Sequence, residues 1–232
     1  MNIFPENVST YGQDIDQLFW LVLVFAGTAF VISVFILLYP LFKNHHSRIQ
    51  RAKYITGEGK AHFKWVIIAL CVLTMSDFII LFAEHHTWEE FETLPQQKDA
   101  EYIVTGRQWN WAFTYPGLDG NLGTADDVVI DEPNSELHVP LSKNVFFQLK
   151  AKDVLHSFFV VNSRLKQDCI PGRTITRWIN FTKEGKYDIS CAEICGIAHS
   201  QMRNFIVVES QEKYNTYIDS LYKQHSATAG GN

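Results

Sequence analysis

The chain has 232 residues, is 47% hydrophobic and carries a formal net charge of −5, which leaves room for one or two domains. The acidic balance argues against nucleic-acid binding and suits a basic partner. None of the four cysteines sits in a C-x-x-C-H run, which excludes a covalently attached haem c, and there is no internal repeat.

Residues 1–17 hold Glu6, Asp14 and Asp16 and no lysine or arginine. No residue from 17 to 42 is charged. About twenty apolar residues cross a bilayer as a helix, so a first transmembrane helix is predicted at 18–42. A cleaved signal peptide is the competing reading, but a basic n-region and a small-residue cleavage site are both missing. The linker 43–64 sets Lys43, Arg48, Arg51, Lys53, Lys60 and Lys64 against Glu58. A second span, WVIIALCVLTMSDFIILFA, is predicted within 65–84. The positive-inside rule puts the linker in the cytoplasm and both termini outside. Asp77 lies within the second span, where a carboxylate costs several kcal/mol without a partner. Two readings stand: it faces a neighbouring subunit and is paired or protonated there, or it snorkels to the outer interface. Cys71, in the same span, reads as a residue packed among its neighbours.

Residues 85–100 read as a polar, acidic linker with Pro95 breaking any helix. In GRQWNWAFTYPG the aromatics Trp109, Trp111, Phe113 and Tyr115 recur with period two. That predicts a strand with all four rings on one face. The following stretch, PGLDGNLGTADDVVIDEP at 116–133, is turn-rich and acidic, and it carries three readings. It is a solvated hairpin whose acids keep an edge soluble. Alternatively Asp119, Asn121, Asp126 and Asp127 wrap a calcium ion. Or its acids form a negative patch beside Trp109 that steers a basic protein.

From residue 137 onward short runs alternate with turn residues: NVFFQLKA, HSFFVVN, TITRWINF, KYDIS and NFIVVES. Such spacing predicts an all-β sandwich or barrel over 101–209. Residues 210–232 read as a surface helix and tail. Tyr214, Tyr217, Ile218 and Leu221 fall at helical spacing up to residue 223, and SATAGGN is expected to be disordered.

The chemistry concentrates in CAEICGIAHSQM. Cys191, Cys195, His199 and Met202 fall at offsets 0, 4, 8 and 11, a soft ligand set of the kind that selects copper. Gly196 permits a tight fold around a metal. The flanking runs 186–190 and 204–209 read as strands, so the ligands lie on a loop held by a sheet. Three other readings compete. A disulfide leaves His199 and Met202 unexplained. Structural zinc rarely uses methionine. A redox dithiol is usually spaced C-x-x-C. One more imidazole is available upstream: His156, in DVLHSFFVVN, at the start of a predicted strand.

The constellation resembles subunit II of the haem–copper cytochrome c oxidases. The likeness covers two membrane helices, the QWNW segment, DVLHS, KQDCIPGR and the C-x-E-x-C-x-x-x-H-x-x-M loop. It implies a two-helix transmembrane hairpin followed by an all-β cupredoxin-like Greek-key sandwich with a short C-terminal helix. It also implies a binuclear, mixed-valence copper centre, CuA. There Cys191 and Cys195 bridge two coppers, His156 and Met202 complete one, and His199 and the backbone carbonyl of Glu193 complete the other. The Glu193 side chain implies a magnesium ion shared with subunit I. Trp109 becomes the surface residue over the copper that receives electrons from a cytochrome c. The position where many relatives carry a proton-channel glutamate falls near His62, with Glu58 one turn earlier, and either could serve. Cys169 reads as a buried free thiol near the subunit I contact.

The function this implies is passage of electrons from cytochrome c, through CuA, to haem in subunit I, which reduces oxygen to water with proton pumping. The chain itself is an enzyme subunit without oxygen chemistry. It would sit in a bacterial plasma membrane with its C-terminal domain on the periplasmic, extracytoplasmic side. The alternatives are the CuA subunit of a haem–copper nitric oxide reductase and, from another class, a membrane-tethered copper carrier. A quinol oxidase subunit is disfavoured because such relatives lack the copper ligands.

Overall fold

The computed structural model describes residues 4–45, 57 and 59–229. Two long apolar helices come first, α1 (Gly12–Lys43) and α2 (Lys60–Glu92). Each is long and apolar enough to cross a membrane, with mean hydropathy of 2.8 and 2.6 in the best windows and none of either window buried. Both outrun the predicted spans. Hydropathy marks only a hydrocarbon-length stretch, whereas a helix continues until something stops it. In α2 the polar run Glu84–Glu92 carries on the helix, and Pro95 forces the preceding residue out of helical geometry. The linker expected at 85–100 is therefore helical for its first half. Glu58 lies outside the described residues, and His62 is placed only as part of the α2 backbone. Asp77 is exposed on the α2 surface, with Thr74, Phe78, Leu81 and Glu84 around it.

The second unit is a sandwich of two five-stranded sheets. One is ordered β3-β2-β1-β5-β8, from β1 (Ala100–Arg107), β2 (Asn110–Tyr115), β3 (Val128–Ile130), β5 (Asn144–Ala151) and β8 (Ile175–Asn180). The other is ordered β4-β10-β9-β6-β7, from β4 (Glu136–Pro140), β6 (His156–Val160), β7 (Leu165–Cys169), β9 (Gly185–Cys191) and β10 (Arg203–Glu209). Most neighbours are antiparallel, but β1 runs parallel to β5 and β4 parallel to β10. This is the cupredoxin-like architecture expected. Alternate residues point inward along each strand. Tyr102, Trp111, Phe113, Tyr115, Phe147 and Leu149 from the first sheet, with Leu137, Phe158, Ile189 and Ile206 from the second, are 0–1% exposed. Each such side chain contributes about 1.5–3 kcal/mol by leaving water.

The final helix, α3 (Gln211–Ala229), starts where the Ser210 hydroxyl accepts from the Lys213 N–H. It docks through tyrosines. Tyr214 shares a 2.7 Å hydrogen bond with the Tyr102 hydroxyl, Tyr217 stacks on His138 at 3.6 Å, and Tyr222 donates to the Pro116 carbonyl. It extends past residue 223 through Ser-Ala-Thr-Ala, residues without a breaker, so residues 226–229 are helical where disorder was expected.

Residues ahead of α1 are woven into the sandwich, which the sequence did not suggest. Val8 donates its N–H to the Asn162 carbonyl and accepts from Thr182, and Ser9 forms a bridge with Phe181. Val8 and Tyr11 are buried, and Tyr11 donates its hydroxyl to the Trp178 carbonyl while its ring meets Trp178 edge-on at 5.5 Å. A segment hydrogen-bonded to the sandwich lies on the same side of any membrane that the chain crosses in between. The number of crossings between Tyr11 and β1 is therefore even, as two spans require.

Replacing Tyr11 by alanine empties this seat and is expected to cost the sandwich about 3–5 kcal/mol, the range for a large buried aromatic. Tyr11→Phe, which loses only the hydroxyl bond, should cost about 1 kcal/mol. Thermal unfolding of the full chain in detergent, followed by near-ultraviolet circular dichroism, measures both. Equal effects would show that the ring is not what holds the segment.

Candidate metal centre

Strands β9 and β10 pair antiparallel, Arg203 opposite Ser190 and Asn204 opposite Ile189. The chain leaves β9 at Cys191 and rejoins at Met202, and the Cys191 N–H donates to the Met202 carbonyl at 3.2 Å, closing the loop at its base. Gly196 takes φ +128, a conformation that side chains resist. Within the loop Cys191, Cys195 and Met202 turn inward and are buried, while Ile194 and Ile197 turn out at 82% and 97% exposure. His156 arrives from the neighbouring strand. It opens β6, which pairs with β9 two residues further on, Phe158 opposite Cys191. A side chain at Gly106 would come within 3.0 Å of the His156 ring and of Trp111, so this strand glycine makes room for the imidazole.

The donor atoms converge. The two thiol sulfurs are 3.7 Å apart, unbonded to each other. Cys191 Sγ lies 3.9 Å from His156 Nδ1 and 3.2 Å from the Glu193 carbonyl oxygen. Cys195 Sγ lies 3.5 Å from His199 Nδ1 and 3.8 Å from Met202 Sδ. Among the described residues, His156, Cys191 and Cys195 form the one group of His, Cys, Asp and Glu side chains with ligand atoms close enough to share a metal. The donor set fits copper: two thiols, two imidazole nitrogens, a thioether and a carbonyl, with the soft atoms at the centre. The two sulfurs stand apart rather than as a disulfide, and the thioether buried on the site is a donor that structural zinc rarely takes.

The electrostatics favour thiolate at one position. Burial works against ionising Cys191, but the His156 ring and the backbone of Ser157 and Glu193 bring its thiol down to about 6. Burial, and then the Cys191 charge beside it, push Cys195 up to about 12. A metal's positive charge reverses that second shift, because a coordinating thiol is deprotonated. His156 Nε2 lies 2.8 Å from Asp153 Oδ1. A carboxylate can only accept there, so Nε2 holds a proton, and Nδ1, which faces Cys191, is the ring atom that a metal would take by displacing its proton. Burial opposes a charged Asp153, but the His156 ring and the N–H groups of Gln108 and Val154 hold its carboxyl below the usual range.

Trp109 departs from the expected strand. A turn at residues 108–109 joins β1 to β2, so Trp111, Phe113 and Tyr115 share the buried face whereas Trp109 is turned out, 38% exposed. It lies against the metal loop: a side chain at Gly196 would come within 3.0 Å of Trp109 Nε1.

The acidic loop divides in two: residues 116–127 lie past the far end of β2, and Asp131 returns to the turn that carries Trp109. Trp109 and Pro116 flank opposite ends of β2, six residues at about 3.3 Å each, or ~20 Å. The acids of 116–127 are thus not beside Trp109, and that separation exceeds the screening length of about 8 Å at physiological salt. Nor do they gather for a cation. Asp119 Oδ1 accepts from the Asn121 N–H, Asp126 from the Asp119 N–H and the Thr124 hydroxyl, and Asp127 from the Gly123 N–H. Their oxygens accept from the loop's own backbone and from the Thr124 hydroxyl, so the solvated-turn reading fits best. Residues 128–130, expected within this loop, form β3. Asp131, just past its end, accepts from the Asn110 amide and pairs with Arg107 at 2.8 Å, which puts it on the strand residue next to Trp109.

Sequence reasoning missed Gly106, Gln108 and Asp153. Only the D-x-x-H spacing of Asp153 and His156 offered a signal, and it has meaning only once 153–156 is known to be a turn entering a strand.

Comparison with known proteins points to one family. The model of the family described as cytochrome c oxidase subunit II, periplasmic domain, matches residues 102–211. The alternative cytochrome c oxidase subunit 2 of Bradyrhizobium diazoefficiens is 32% identical over 226 residues, spanning 88% of this chain and 78% of that protein. The cytochrome c oxidase subunit 2 of Cereibacter sphaeroides is 27% identical over 243 residues, spanning 93% and 78%. Among solved structures, the periplasmic domain of subunit II of cytochrome oxidase from Bradyrhizobium japonicum is similar with a TM-score of 0.49 at 26% identity, covering 57% of this chain and 99% of that one.

Alkylation of the metal-free chain should single out Cys191 within the sandwich. Its rate is expected to rise through about pH 6 instead of the ordinary 9.0, because the thiolate is the reactive form. Cys169, fully buried and pushed by burial to about 12, should stay unmodified until urea unfolds the domain. Peptide mapping of iodoacetamide adducts reads both, and early labelling of Cys169 would contradict its burial.

Proposed function

The chain belongs to the cytochrome c oxidase subunit II family, and from that premise we propose that its metal loop holds a binuclear CuA centre and serves electron transfer into a respiratory oxidase. The observation that carries this reading is the arrangement around the two unbonded thiols. Each sulfur has two further donors beside it, Cys191 with His156 and Glu193, Cys195 with His199 and Met202. In the proposed assignment His156 and Met202 complete one copper and His199 and the Glu193 carbonyl the other. Each copper then draws one ligand from beside each shared thiolate. A pair of coppers bound there supplies a one-electron acceptor whose charge change is spread over two metals.

The chain's own residues do the rest. The β9–β10 ladder and the bond from Cys191 to Met202 hold the first and last ligands at fixed separation. Buried Cys195 and Met202 keep water away from the inner side. Trp109, exposed and seated against Gly196, is the contact through which an electron from a cytochrome c reaches the loop. The chain delivers that electron to haem in subunit I, where oxygen is reduced to water with proton pumping. The Glu193 carbonyl is turned to Cys191, which leaves its carboxylate for a magnesium ion shared with subunit I. Asp77, exposed on α2, faces that subunit, and His62 or Glu58 marks its proton entrance. With the sandwich and the residues before α1 on one side of the membrane and the basic linker on the other, the domain is extracytoplasmic, in a bacterial plasma membrane.

The full chain should take up two coppers and turn purple, with a paramagnetic resonance spectrum of one electron shared by two equivalent coppers. One copper per folded chain would overturn the reading. Cys195→Ser should destroy the pairing, since a bridging thiolate has no substitute, while Met202→Leu should leave a coloured site at a changed potential. In the assembled oxidase, Trp109→Phe should slow electron uptake from cytochrome c and leave the onward step intact. Asp126→Asn with Asp127→Asn should leave the salt dependence of uptake unchanged, and a flattened dependence would return the acidic loop to a steering role.

A further inference from the structure

Three hydrogen bonds meet on a carboxylate that no ligand assignment uses. Asp153 lies in the turn between β5 and β6. Its Oδ1 accepts from His156 Nε2 at 2.8 Å and from the Val154 N–H at 2.7 Å, and its Oδ2 accepts from the backbone N–H of Gln108 at 2.7 Å. Gln108 donates from its side-chain amide to the Cys195 carbonyl at 2.8 Å. The next residue is Trp109, with its indole over Gly196.

We propose that Asp153 is a positioning residue that fixes, with one carboxylate, both the ring of the metal ligand His156 and the seat of Trp109 against the metal loop. The inference rests on the copper reading above and deepens it. It follows from a count of donors and acceptors. Every group facing the two oxygens is a donor, namely the His156 ring N–H and the backbone N–H groups of Val154 and Gln108. A carboxylate accepts at both oxygens, whereas an amide of the same size accepts at one and donates at the other. If an asparagine turned its oxygen to Gln108, its NH₂ would face His156 Nε2. The ring proton would then move to Nδ1, the atom that faces Cys191, and the ligand would be lost. If it turned its oxygen to His156, its NH₂ would oppose the Gln108 N–H and push out the turn that carries Trp109. Only a carboxylate serves both at once. The bond from Gln108 to Cys195 completes the circuit, so the ligand histidine, the exposed tryptophan and the metal loop are held as one body.

The test uses the full chain in detergent, labelled with 5-fluorotryptophan, with the Trp109 resonance assigned by its loss in Trp109→Phe. Asp153→Asn and Asp153→Ala are compared with the parent, first metal-free by fluorine NMR. Copper-loaded samples are then followed by redox titration and by the rate of copper release to a cuprous chelator. In Asp153→Ala the metal-free Trp109 resonance should move, copper release should quicken 10–100-fold, the cost usual for losing an outer partner of a ligand histidine, and the potential should rise because His156 loses its anionic partner. Asp153→Asn should show either the moved resonance or the faster release with raised potential. It keeps the test open should the alanine variant fail to fold. Release within twofold of the parent, an unchanged potential and an unmoved resonance in the folded variants would overturn the proposal. If the parent chain takes up no copper, the copper reading fails by itself, and the metal-free resonance then decides: moved, the tie stands; unmoved, it falls.

Discussion

The backbone hydrogen bond from Cys191 to Met202 and the β9–β10 ladder beneath it set the terms for everything else in the sandwich. A metal ligand is useful only if it cannot wander, and a loop is ordinarily the least constrained part of a fold. Here both ends of the loop are pinned to paired strands buried on one face. The loop then has only to turn Cys191, Cys195 and Met202 inward. The neighbouring strand β6 brings His156 to the same place through its own pairing with β9. The apolar core under these strands is thus what makes the donor set a site.

How much of this could be read from the chain depended on whether a residue's meaning was local. The metal loop was legible because its chemistry lies in residue type and spacing, and both survive without a structure. The long helices and strands β5, β6, β8, β9 and β10 were legible because they are apolar and β-branched or aromatic. Strands β3, β4 and β7 were not. The first has three residues, the second ends in proline, and the third reads LKQDC, with only Leu165 and Cys169 fully buried. These three lie at sheet edges, where a strand need bury little, but position is not the whole reason: the edge strand β8 was read from its apolar residues, and central β1, AEYIVTGR, was not singled out. The period of two across Trp109 to Tyr115 was real from Trp111 onward but could not reveal that a turn begins at Gln108. Asp153 and Gln108 act through partners that are distant along the chain, and nothing local announces such partners.

The two ends of the sandwich carry different chemistry. At the metal end Ile194 and Ile197 are exposed on the loop whose Gly196 lies against Trp109, and Asp131, just after β3, is paired with Arg107. At the far end of β2 the acids of residues 116–127 are folded onto their own backbone. Net charge therefore says little about where a partner is met. The turn that carries the exposed tryptophan has acids of its own, Asp153 bonded to Gln108 and Asp131 bonded to Asn110, each held by a donor.

The residues ahead of α1 bear on how such a chain is made. Val8 is hydrogen-bonded to Asn162 and Thr182, which lie more than 150 residues further along. The segment has no seat until the chain has been made as far as Thr182, just past β8. Closing so long a loop is slow for a free chain, but two membrane spans that return the chain to its starting side shorten the search. The segment's seat is complete once β8 has been made, ahead of β9 and β10, so its docking closes the sandwich around the strand that carries His156 before the Cys191–Met202 loop is added.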